Sequence, residues 1–357
     1  MQGTHVLPPM SHVRDAERNS LESTGSAVRL DVHLQGADAR RDLCTDVRRG
    51  LGSDPKWLSP RWFYDDRGSQ LFSAITRLPE YYPYRCEAAI LSEQAEAIAA
   101  AVPVTTLVEL GSGTCEKTRP LLDALRGHGL RRFVPFDVSI ATLHEAAVVV
   151  GAEYPDLAVH AIAGDFQRHL AELPGGDRQM VALLGGTIGN HLPGDRAKFL
   201  STLAAQMAPG DGLLLGTDLV KDPGRLVAAY DDSTGVTAAF NRNVLRVLNR
   251  ELGANFEPES FHHVARWDAE QEWIEMHLQA DTDQHVYLPE AQLSVEFRRN
   301  ETLRTEVSAK FRREGLATEL DAAGFDLRHW WTDAAGDYAL SLSIRSGQRG
   351  PAHLEET

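Results

Sequence analysis

The sequence of 357 residues is poor in cysteine, which narrows the classes of protein it can encode. Its three cysteines, Cys44, Cys86 and Cys115, are far apart, and no two of them form a Cys-x-x-Cys pair. An odd number of isolated cysteines supplies neither a disulfide framework nor a zinc site of ordinary spacing. We therefore expect a reduced, cytoplasmic protein that binds no metal.

Long apolar runs are also missing. No stretch approaches the roughly 18 consecutive apolar residues that a membrane-spanning helix needs. Near the N-terminus, Pro8, Pro9, Arg14 and Asp15 stand where a secretory signal would need an apolar segment. These absences predict a protein that neither enters a membrane nor carries a secretory signal.

Basic residues are outnumbered by acidic ones. Lys and Arg total 36 against 51 Asp and Glu, for a formal net charge of −15. A chain with this charge has no general attraction to nucleic-acid phosphates or anionic lipids, and no basic run supplies a local one. Nucleic acids and membranes are therefore excluded as expected partners.

The central part of the sequence contains a regular alternation of strand and helix patterns. Short apolar runs bounded by turns predict buried strands, and the segments between them predict helices, for example over residues 140–150. The five predicted central strands cover residues 106–110, 132–136, 159–163, 180–184 and 212–217. This spacing is typical of a mostly parallel sheet with helical crossovers.

The last folded part has a different pattern. Residues 325–331 and 338–344 are predicted to be two strands joined by a short turn at Gly336, so they must be antiparallel to each other. A parallel five-strand core closed by such a hairpin is the α/β layout of class I S-adenosylmethionine methyltransferases. This Rossmann-like sheet differs from the six-strand order of dehydrogenases.

Two stretches do not fit the alternation, and we expect them to form a second, discontinuous domain over the mouth of the sheet. The terminal segments lack hydrophobic periodicity, which predicts disorder. The predicted division is a tail at 1–30, the second domain at 31–85 and 220–309, the sheet domain at 86–219 and 310–345, and a tail at 346–357.

A glycine-rich turn, Glu109-Leu-Gly-Ser-Gly-Thr-Cys-Glu-Lys-Thr118, follows the first central strand. Glycines at such a turn let the backbone approach a ligand closely, although a lone turn of this kind is weak evidence. Acids also end the next two strands: Asp137 can hold the hydroxyls of a ribose, and Asp165 with Phe166 can lie beside an adenine. Three turns at the same edge of a sheet together predict a nucleoside-binding site.

The type of cofactor follows from the spacing of the glycines. Glu116 stands where a dinucleotide site needs its third glycine, and an acid there repels pyrophosphate. This substitution favours S-adenosylmethionine over NAD. The candidate cofactor-binding residues are Gly111, Ser112, Gly113, Lys117, Asp137, Asp165 and Phe166.

Six motifs together carry a resemblance to a known family. They are Trp62-Phe-Tyr-Asp65, Leu78-Pro-Glu-Tyr-Tyr-Pro83, Glu109-Leu-Gly-Ser-Gly-Thr114, Gly186-Thr-Ile-Gly-Asn190, Leu215-Gly-Thr-Asp218 and Thr305-Glu-Val-Ser308. The chain resembles the bacterial histidine N-α-methyltransferases of ergothioneine biosynthesis over nearly all of its folded part. The resemblance implies three methyl transfers from S-adenosylmethionine to L-histidine, giving N,N,N-trimethylhistidine (hercynine), in a cytoplasmic monomer.

Local chemistry agrees with part of this implication. Residues 304–310 are predicted to be a strand, with Leu303, Val307 and Phe311 broadly apolar. The two-residue period of a strand then places Glu306 and Ser308 on one face, about 7 Å apart. A neutral imidazole has one donor and one acceptor nitrogen, which a carboxylate and a hydroxyl can hold together. Without the resemblance, two solvated residues on the wet face of a strand would be the more ordinary explanation of the pair.

The resemblance further implies a substrate site built from several segments. Tyr64 and Tyr81 are the implied lid contacts to the reacting amine and the candidates for guiding its proton away. The implied substrate-binding residues are Tyr81, Asn190, Tyr230, Met276, Glu306 and Ser308. Taken alone, Asn190 also suits a turn cap, and Tyr230 and Met276 also suit core packing.

Two residues depart from the expected family pattern, and rival functions remain open. Cys115 lies in the glycine-rich turn, where it suggests sensitivity to thiol reagents, and His191 follows Asn190, where a small or apolar residue is expected. The nearest rival is a methyltransferase for tryptophan or a histidine derivative. A catalytically idle binding protein is a rival of another class, and a dehydrogenase is the most distant.

Overall fold

The computed structural model describes residues 28–34, 36–175 and 178–347. Within these residues the strands are β1 (Val28–Val32), β2 (Lys56–Trp57), β3 (Thr106–Leu110), β4 (Arg132–Asp137), β5 (Ala158–Ala163), β6 (Gln179–Leu183), β7 (Gly212–Asp218), β8 (Phe261–Asp268), β9 (Trp273–Ala280), β10 (Gln284–Leu288), β11 (Leu293–Phe297), β12 (Thr302–Ala309), β13 (Phe325–Thr332) and β14 (Tyr338–Arg345).

The α-helices in the same part of the chain are α1 (Gly36–Leu51), α2 (Asp66–Ile75), α3 (Tyr82–Ala101), α4 (Arg119–Gly127), α5 (Ile140–Glu153), α6 (Phe166–His169), α7 (Pro193–Ala205), α8 (Pro223–Tyr230), α9 (Val236–Leu252) and α10 (Arg313–Ala322). Among these described helices, none combines the length and the apolar character that a bilayer crossing requires.

Eight strands form the larger sheet, in the order β1-β5-β4-β3-β6-β7-β14-β13. The first six run parallel, and β14 lies antiparallel to both β7 and β13. The predicted α/β architecture with its terminal antiparallel hairpin is confirmed. Every strand predicted for this sheet occurs within one residue of its expected bounds.

The larger sheet has one parallel strand more than predicted. β1 pairs with β5, with Val28 beside Val159. The predicted boundary at residue 31 is therefore wrong, because residues 28–32 belong to the larger sheet. An edge strand with one neighbour buries little apolar surface, and Val32 is 50% exposed, so its sequence pattern is faint. Of the two predicted tails, residues 1–27 and 348–357 lie outside the described residues.

Helices cover both faces of the larger sheet, so its central strands are buried throughout. All five residues of β3 are buried, and so are all five of β6. Neighbouring side chains of β3 enter different cores: Leu107 packs with α3, α4 and α5, whereas Val108 packs with α7 and α10. Burial on both faces explains why these strands are mostly apolar and do not alternate between apolar and polar residues in the sequence.

A smaller sheet, β2-β12-β9-β8, packs with the other helices. In this sheet β12 runs antiparallel to β9, and the hairpin of β10 and β11 lies nearby in the same core. That core contains side chains of α1, α2, α8 and α9, so it draws on two stretches of chain, residues 43–82 and 226–303.

The two sheets meet at the end of β12. The turn Thr187–Asn190 after β6 lies against this strand, because a Cβ atom on Gly189 would be only 2.9 Å from the carbonyl oxygen of Ala309. Farther along the chain, the Phe311 amide donates to the Asp218 carbonyl at the end of β7, at 2.8 Å. Glycine permits the close backbone approach that brings β12 to the mouth of the larger sheet.

Gly216 in β7 lies against a buried carboxylate and generates a testable prediction. A Cβ atom there would be 1.9 Å from Glu87 Oε1 and 2.7 Å from Tyr338 Oη, whereas one on Gly212 in the same strand would meet its nearest atom at 3.5 Å. We expect Gly216→Ala to lower the free energy of unfolding by about 2 kcal/mol, because packed groups must move. The control Gly212→Ala should leave it unchanged or raise it by about 0.5 kcal/mol. Urea denaturation measures both values, and equal midpoints would contradict the close packing.

Candidate active site

The glycine-rich turn after β3 lies beside the end of β4. Gly111 and Gly113 have φ angles of +71° and +51°, a backbone region that favours glycine. The Gly113 amide donates to Asp137 Oδ2 at 2.9 Å, and the Ser139 amide donates to Oδ1 at 2.9 Å. Burial raises the pKa of the Asp137 carboxyl. The structure thus brings Gly111, Ser112, Gly113 and Asp137 together at the mouth of the larger sheet.

Asp165 and Phe166 follow β5 at the same edge of the sheet. Asp165 Oδ1 accepts a hydrogen bond from the Gln167 amide at 2.9 Å, which caps α6, and Oδ2 accepts one from Arg61 at 3.0 Å. The Phe166 ring lies beside the glycine-rich turn, with Cε1 3.9 Å from the Cβ position of Gly111. Arg61 belongs to no sequence motif. It links the part of the chain that packs with the smaller sheet to the predicted cofactor residues.

Lys117 is held by a buried acid from a distant part of the chain. Its ammonium pairs with Glu87 on α3, whose side chain is fully buried. Glu87 also accepts hydrogen bonds from the Gly185 amide at 2.7 Å and the Tyr338 hydroxyl at 2.9 Å. One carboxylate therefore connects the glycine-rich turn to the segment after β6 and to β14. No local pattern marks Glu87, because its partners come from separate segments.

A β-bulge in β12 decides which of its side chains face the site. Arg304 lies opposite His277 of β9 and Glu306 lies opposite the next residue, Met276, so Thr305 is the extra residue. The bulge reverses the alternation of side chains on either side of it. The simple two-residue period predicted for this strand therefore holds only beyond Thr305.

Beyond the bulge, Glu306 and Ser308 share one face, on the side of Met276. Val307 faces the other way, into a core of the larger sheet. A regular two-residue period would place Leu303 on the face of Val307, but Leu303 packs in the core of the smaller sheet because the bulge lies between the two residues. Glu306 and Ser308 thus lie on the face of β12 that is directed toward the core of the smaller sheet.

A buried hydrogen-bond network holds the bulge. Thr305 Oγ1 donates to Asn241 Oδ1 at 2.6 Å, and the Asn241 amide donates to a backbone carbonyl of β9 at 3.0 Å. The same amide group lies 2.8 Å from His263 Nδ1, and His263 Nε2 lies 2.7 Å from the Tyr230 carbonyl oxygen. With Nδ1 as acceptor, Nε2 carries the hydrogen and donates it. Asn241 therefore couples the bulge to the backbone of Tyr230.

The three predicted tyrosines, Tyr64, Tyr81 and Tyr230, lie in an aromatic cluster. The rings of Tyr81 and Tyr230 meet edge to face at 6.3 Å. Phe72 and Phe240, which no motif marks, complete the cluster, because the Tyr64 ring lies 5.7 Å from each of them. The segments that contain Tyr64, Phe72 and Tyr81 thus form one wall with the segments around Tyr230 and Phe240.

Burial controls ionisation around Glu306. It raises the pKa of the Glu306 carboxyl to about 7, and the ammonium of Lys310 opposes this rise. Burial also raises the pKa of Tyr64, Tyr81 and Tyr230 well above their usual range, and the charge of Glu306 raises all three further. These tyrosines are neutral phenols at pH 7, so they donate and accept hydrogen bonds but do not act as phenolate bases.

Asn190 ends the turn that packs against β12, and it is half-buried there. The ring of the next residue, His191, stacks on Phe199 at 5.2 Å. Burial lowers the pKa of His191 to about 4. The unexpected histidine is therefore neutral at pH 7 and packs in the core, so it adds no charge next to Asn190.

Cys115 is enclosed in the glycine-rich turn. It is 1% exposed, and burial raises the pKa of its thiol well above the usual range. Buried, neutral thiols react slowly with alkylating and oxidising reagents. The structure therefore argues against the thiol sensitivity that the sequence suggested.

One group among the described residues offers three potential metal ligands: Cys86, Asp333 and Asp337. Asp333 Oδ1 accepts hydrogen bonds from the amides of Asp337 and Tyr338 at 2.8 Å, and Asp337 pairs with Arg225 at 2.6 Å. Protein groups thus already compensate both carboxylates, and nothing in this group points to an ion.

The fold and these contacts define a class of protein. A parallel sheet with a terminal antiparallel hairpin, a glycine-rich turn after β3 and an acid at the end of β4 characterise a class I S-adenosylmethionine-dependent methyltransferase. The sequence profile of the histidine-specific, S-adenosylmethionine-dependent methyltransferases matches residues 43–345. The chain belongs to this family.

Its relatives include two mycobacterial proteins named histidine N-alpha-methyltransferase. The protein from Mycolicibacterium smegmatis is 56% identical over 317 residues, which cover 88% of this chain and 99% of that protein. The protein from Mycobacterium tuberculosis is 56% identical over 314 residues, covering 88% and 98%. Ergothioneine biosynthesis protein 1 of Neurospora crassa is 29% identical over 301 residues, covering 82% of this chain and 33% of that longer protein.

Proposed function

We propose that this protein transfers three methyl groups from S-adenosylmethionine to the α-amino group of free L-histidine, giving N,N,N-trimethylhistidine (hercynine). The reaction would be the first step of ergothioneine biosynthesis. The observation that carries the proposal is the pair Glu306 and Ser308 on one face of β12, where the two sheets meet. Membership of the family and 56% identity to the mycobacterial relatives support it.

S-adenosylmethionine fits the turn after β3. The space in front of Gly113 is open, because a Cβ atom there would meet no atom within 4 Å. In the proposed site Asp137 holds the ribose hydroxyls, and Asp165 and Phe166 flank the adenine. The remaining cofactor contacts are assigned to Gly111, Ser112, Gly113 and Lys117. When bound, the sulfonium supplies an electrophilic methyl group, and the proposal requires no metal.

The imidazole of histidine is proposed to lie against β12. Glu306 accepts a hydrogen bond from the ring N–H, and Ser308 contacts the other ring nitrogen, while Met276 supplies an apolar wall. An indole has one N–H and no acceptor nitrogen, so tryptophan would lack the second contact, the one with Ser308. A buried polar group without its partner costs affinity, which favours histidine over tryptophan.

The amino-acid end of histidine is proposed to lie toward the mouth of the larger sheet. Tyr230 holds the carboxylate, and the neutral groups Asn190 and Tyr81 hold the amine. Neutral partners suit three successive transfers, because a carboxylate clamp would oppose release of the cationic product. In this arrangement the smaller sheet with its helices binds histidine and the larger sheet binds the cofactor, in a cytoplasmic monomer.

Product analysis tests the proposed function directly. The purified protein is incubated with S-adenosylmethionine and histidine, tryptophan or buffer alone, and products are identified by mass spectrometry. We expect histidine to gain one, two and three methyl groups and tryptophan to gain none. Methylation of tryptophan alone would identify the nearest rival. Binding of S-adenosylmethionine without any product would favour a regulatory protein.

Glu306→Ala is expected to weaken histidine much more than the cofactor. The variant loses the hydrogen-bond acceptor for the ring N–H, so the KM for histidine should rise about 10- to 100-fold, with the Kd for S-adenosylmethionine unchanged. Glu275→Ala is the matched control, because Glu275 lies opposite Val307 on the reverse face of the same sheet. Steady-state kinetics and calorimetry give both constants, and equal losses for both ligands would refute the assignment of Glu306.

Tyr64 and Tyr81 are proposed to guide the proton that leaves the amine before each transfer. Because both are neutral phenols, they act as hydrogen-bond relays, directly or through water, and not as anionic bases. We expect Tyr64→Phe or Tyr81→Phe to lower kcat about 10- to 100-fold, as loss of a proton-transfer group does. Stopped assays at saturating histidine measure kcat, and unchanged turnover in both variants would refute this role.

A further inference from the structure

A fully buried lysine lies behind the tyrosine that is proposed to hold the substrate carboxylate. The side chain of Lys310, directly after β12, is 0% exposed. Its Nζ lies 2.9 Å from Tyr230 Oη and 2.9 Å from Ser308 Oγ, and it pairs with Asp218 Oδ2 at 2.9 Å. An ammonium has three N–H donors, so these contacts leave none of them for a ligand. Lys310 therefore acts on a ligand through its charge.

That charge is only partly compensated. The buried carboxylate of Asp218, which contacts Lys310, also pairs with the ammonium of Lys221. The Tyr82 hydroxyl donates to the same carboxylate at 2.9 Å and adds no charge. Burial lowers the pKa of Lys221, and the nearby charge of Lys310 lowers it further. Two cations thus share one anion, which leaves one positive charge in excess inside the protein.

The neighbouring ionisable groups do not remove this excess. Arg225 and Asp337 form an ion pair of their own at 2.6 Å. Glu306 faces the proposed ligand, but burial raises the pKa of its carboxyl to about 7, so much of its charge is lost at neutral pH. In the proposed function Glu306 also holds the ring, at the opposite end of the substrate from the carboxylate. A buried, uncompensated cation is costly and favours a ligand that brings an anion.

We propose that Lys310 makes the site specific for substrates with an α-carboxylate, by supplying the positive charge that this group needs. The inference rests on the proposed function, in which Tyr230 holds the carboxylate. A carboxylate oxygen bonded to Tyr230 would lie within about 6 Å of Nζ. In a buried site, attraction over this distance strengthens binding about 10- to 100-fold. The charge acts whichever of the two hydroxyls, Tyr230 or Ser308, donates to the other.

L-Histidinamide separates the charge from the other contacts. Its carboxamide has nearly the shape of a carboxylate, and its carbonyl oxygen accepts a hydrogen bond from Tyr230, but the group is neutral. The effect of Lys310 therefore appears as a preference for histidine over histidinamide. Damage to the imidazole site or to the shape of the pocket weakens both ligands alike and leaves this preference unchanged.

Calorimetry in the presence of S-adenosylhomocysteine measures the Kd of both ligands. We expect the wild-type protein to prefer histidine about 10- to 100-fold. Lys310→Met should lower this preference below about threefold, by weakening histidine and leaving histidinamide within about twofold. Lys310→Gln should do the same, because it keeps N–H donors for Tyr230 and Ser308 but carries no charge.

Lys56→Met is the matched control. Lys56 is a largely buried lysine of the smaller sheet, and its partner Glu301 balances its charge. Its replacement should leave the preference for histidine within about twofold of the wild-type value, because no excess charge is removed. Urea denaturation of all three variants verifies that each is folded.

The contrary outcomes distinguish this inference from the proposed function. A wild-type protein that binds histidine and histidinamide equally would overturn the role of Lys310 and leave the proposed function intact, and this comparison needs no variant. A preference that survives in both Lys310 variants would also overturn that role. A wild-type protein that binds S-adenosylhomocysteine but not histidine would overturn the proposed function, and this inference with it.

Discussion

The backbone contact between the turn after β6 and the end of β12 controls the geometry of the whole site. A side chain at Gly189 would collide with the carbonyl of Ala309, so the two segments touch only because this residue is glycine. The contact brings β12 to the edge where the parallel strands end. The proposed cofactor residues of the larger sheet and the proposed substrate residues of the smaller sheet therefore meet at one mouth, although their cores are separate.

The acidic side chains around this mouth differ in how many hydrogen-bond donors and cations contact them, and this difference indicates their roles. Glu87 is surrounded by donors, and Asp218 is paired with two lysines and a tyrosine. Such groups hold segments together because burial without partners is costly. Glu306 is half-buried, and the charge of Lys310 only partly offsets its loss of hydration, so that its pKa rises to about 7. A carboxylate in that condition is suited to a ligand that supplies the missing donor.

Prediction from the sequence succeeded where the signal was local. The apolar runs of the parallel sheet gave strand positions within one residue, since burial on both faces leaves a continuous pattern. It failed at β1, whose single neighbour and half-exposed side chains leave little pattern. It also missed the bulge at Thr305, because a bulge depends on the partner strand and on the buried amide of Asn241, more than sixty residues away.

By itself, the sequence determined the class of fold, the glycine-rich turn with its two acids, and the motifs that mark the family. Each of these features depends on residues that are close together in the sequence. Only the tertiary structure decided which distant groups act on those motifs. Lys310 stands two residues after Ser308 in the chain, yet its three partners come from β7, α8 and β12. Hydrogen-bond direction, burial and the resulting pKa shifts depend on atoms that only folding brings within 3 Å.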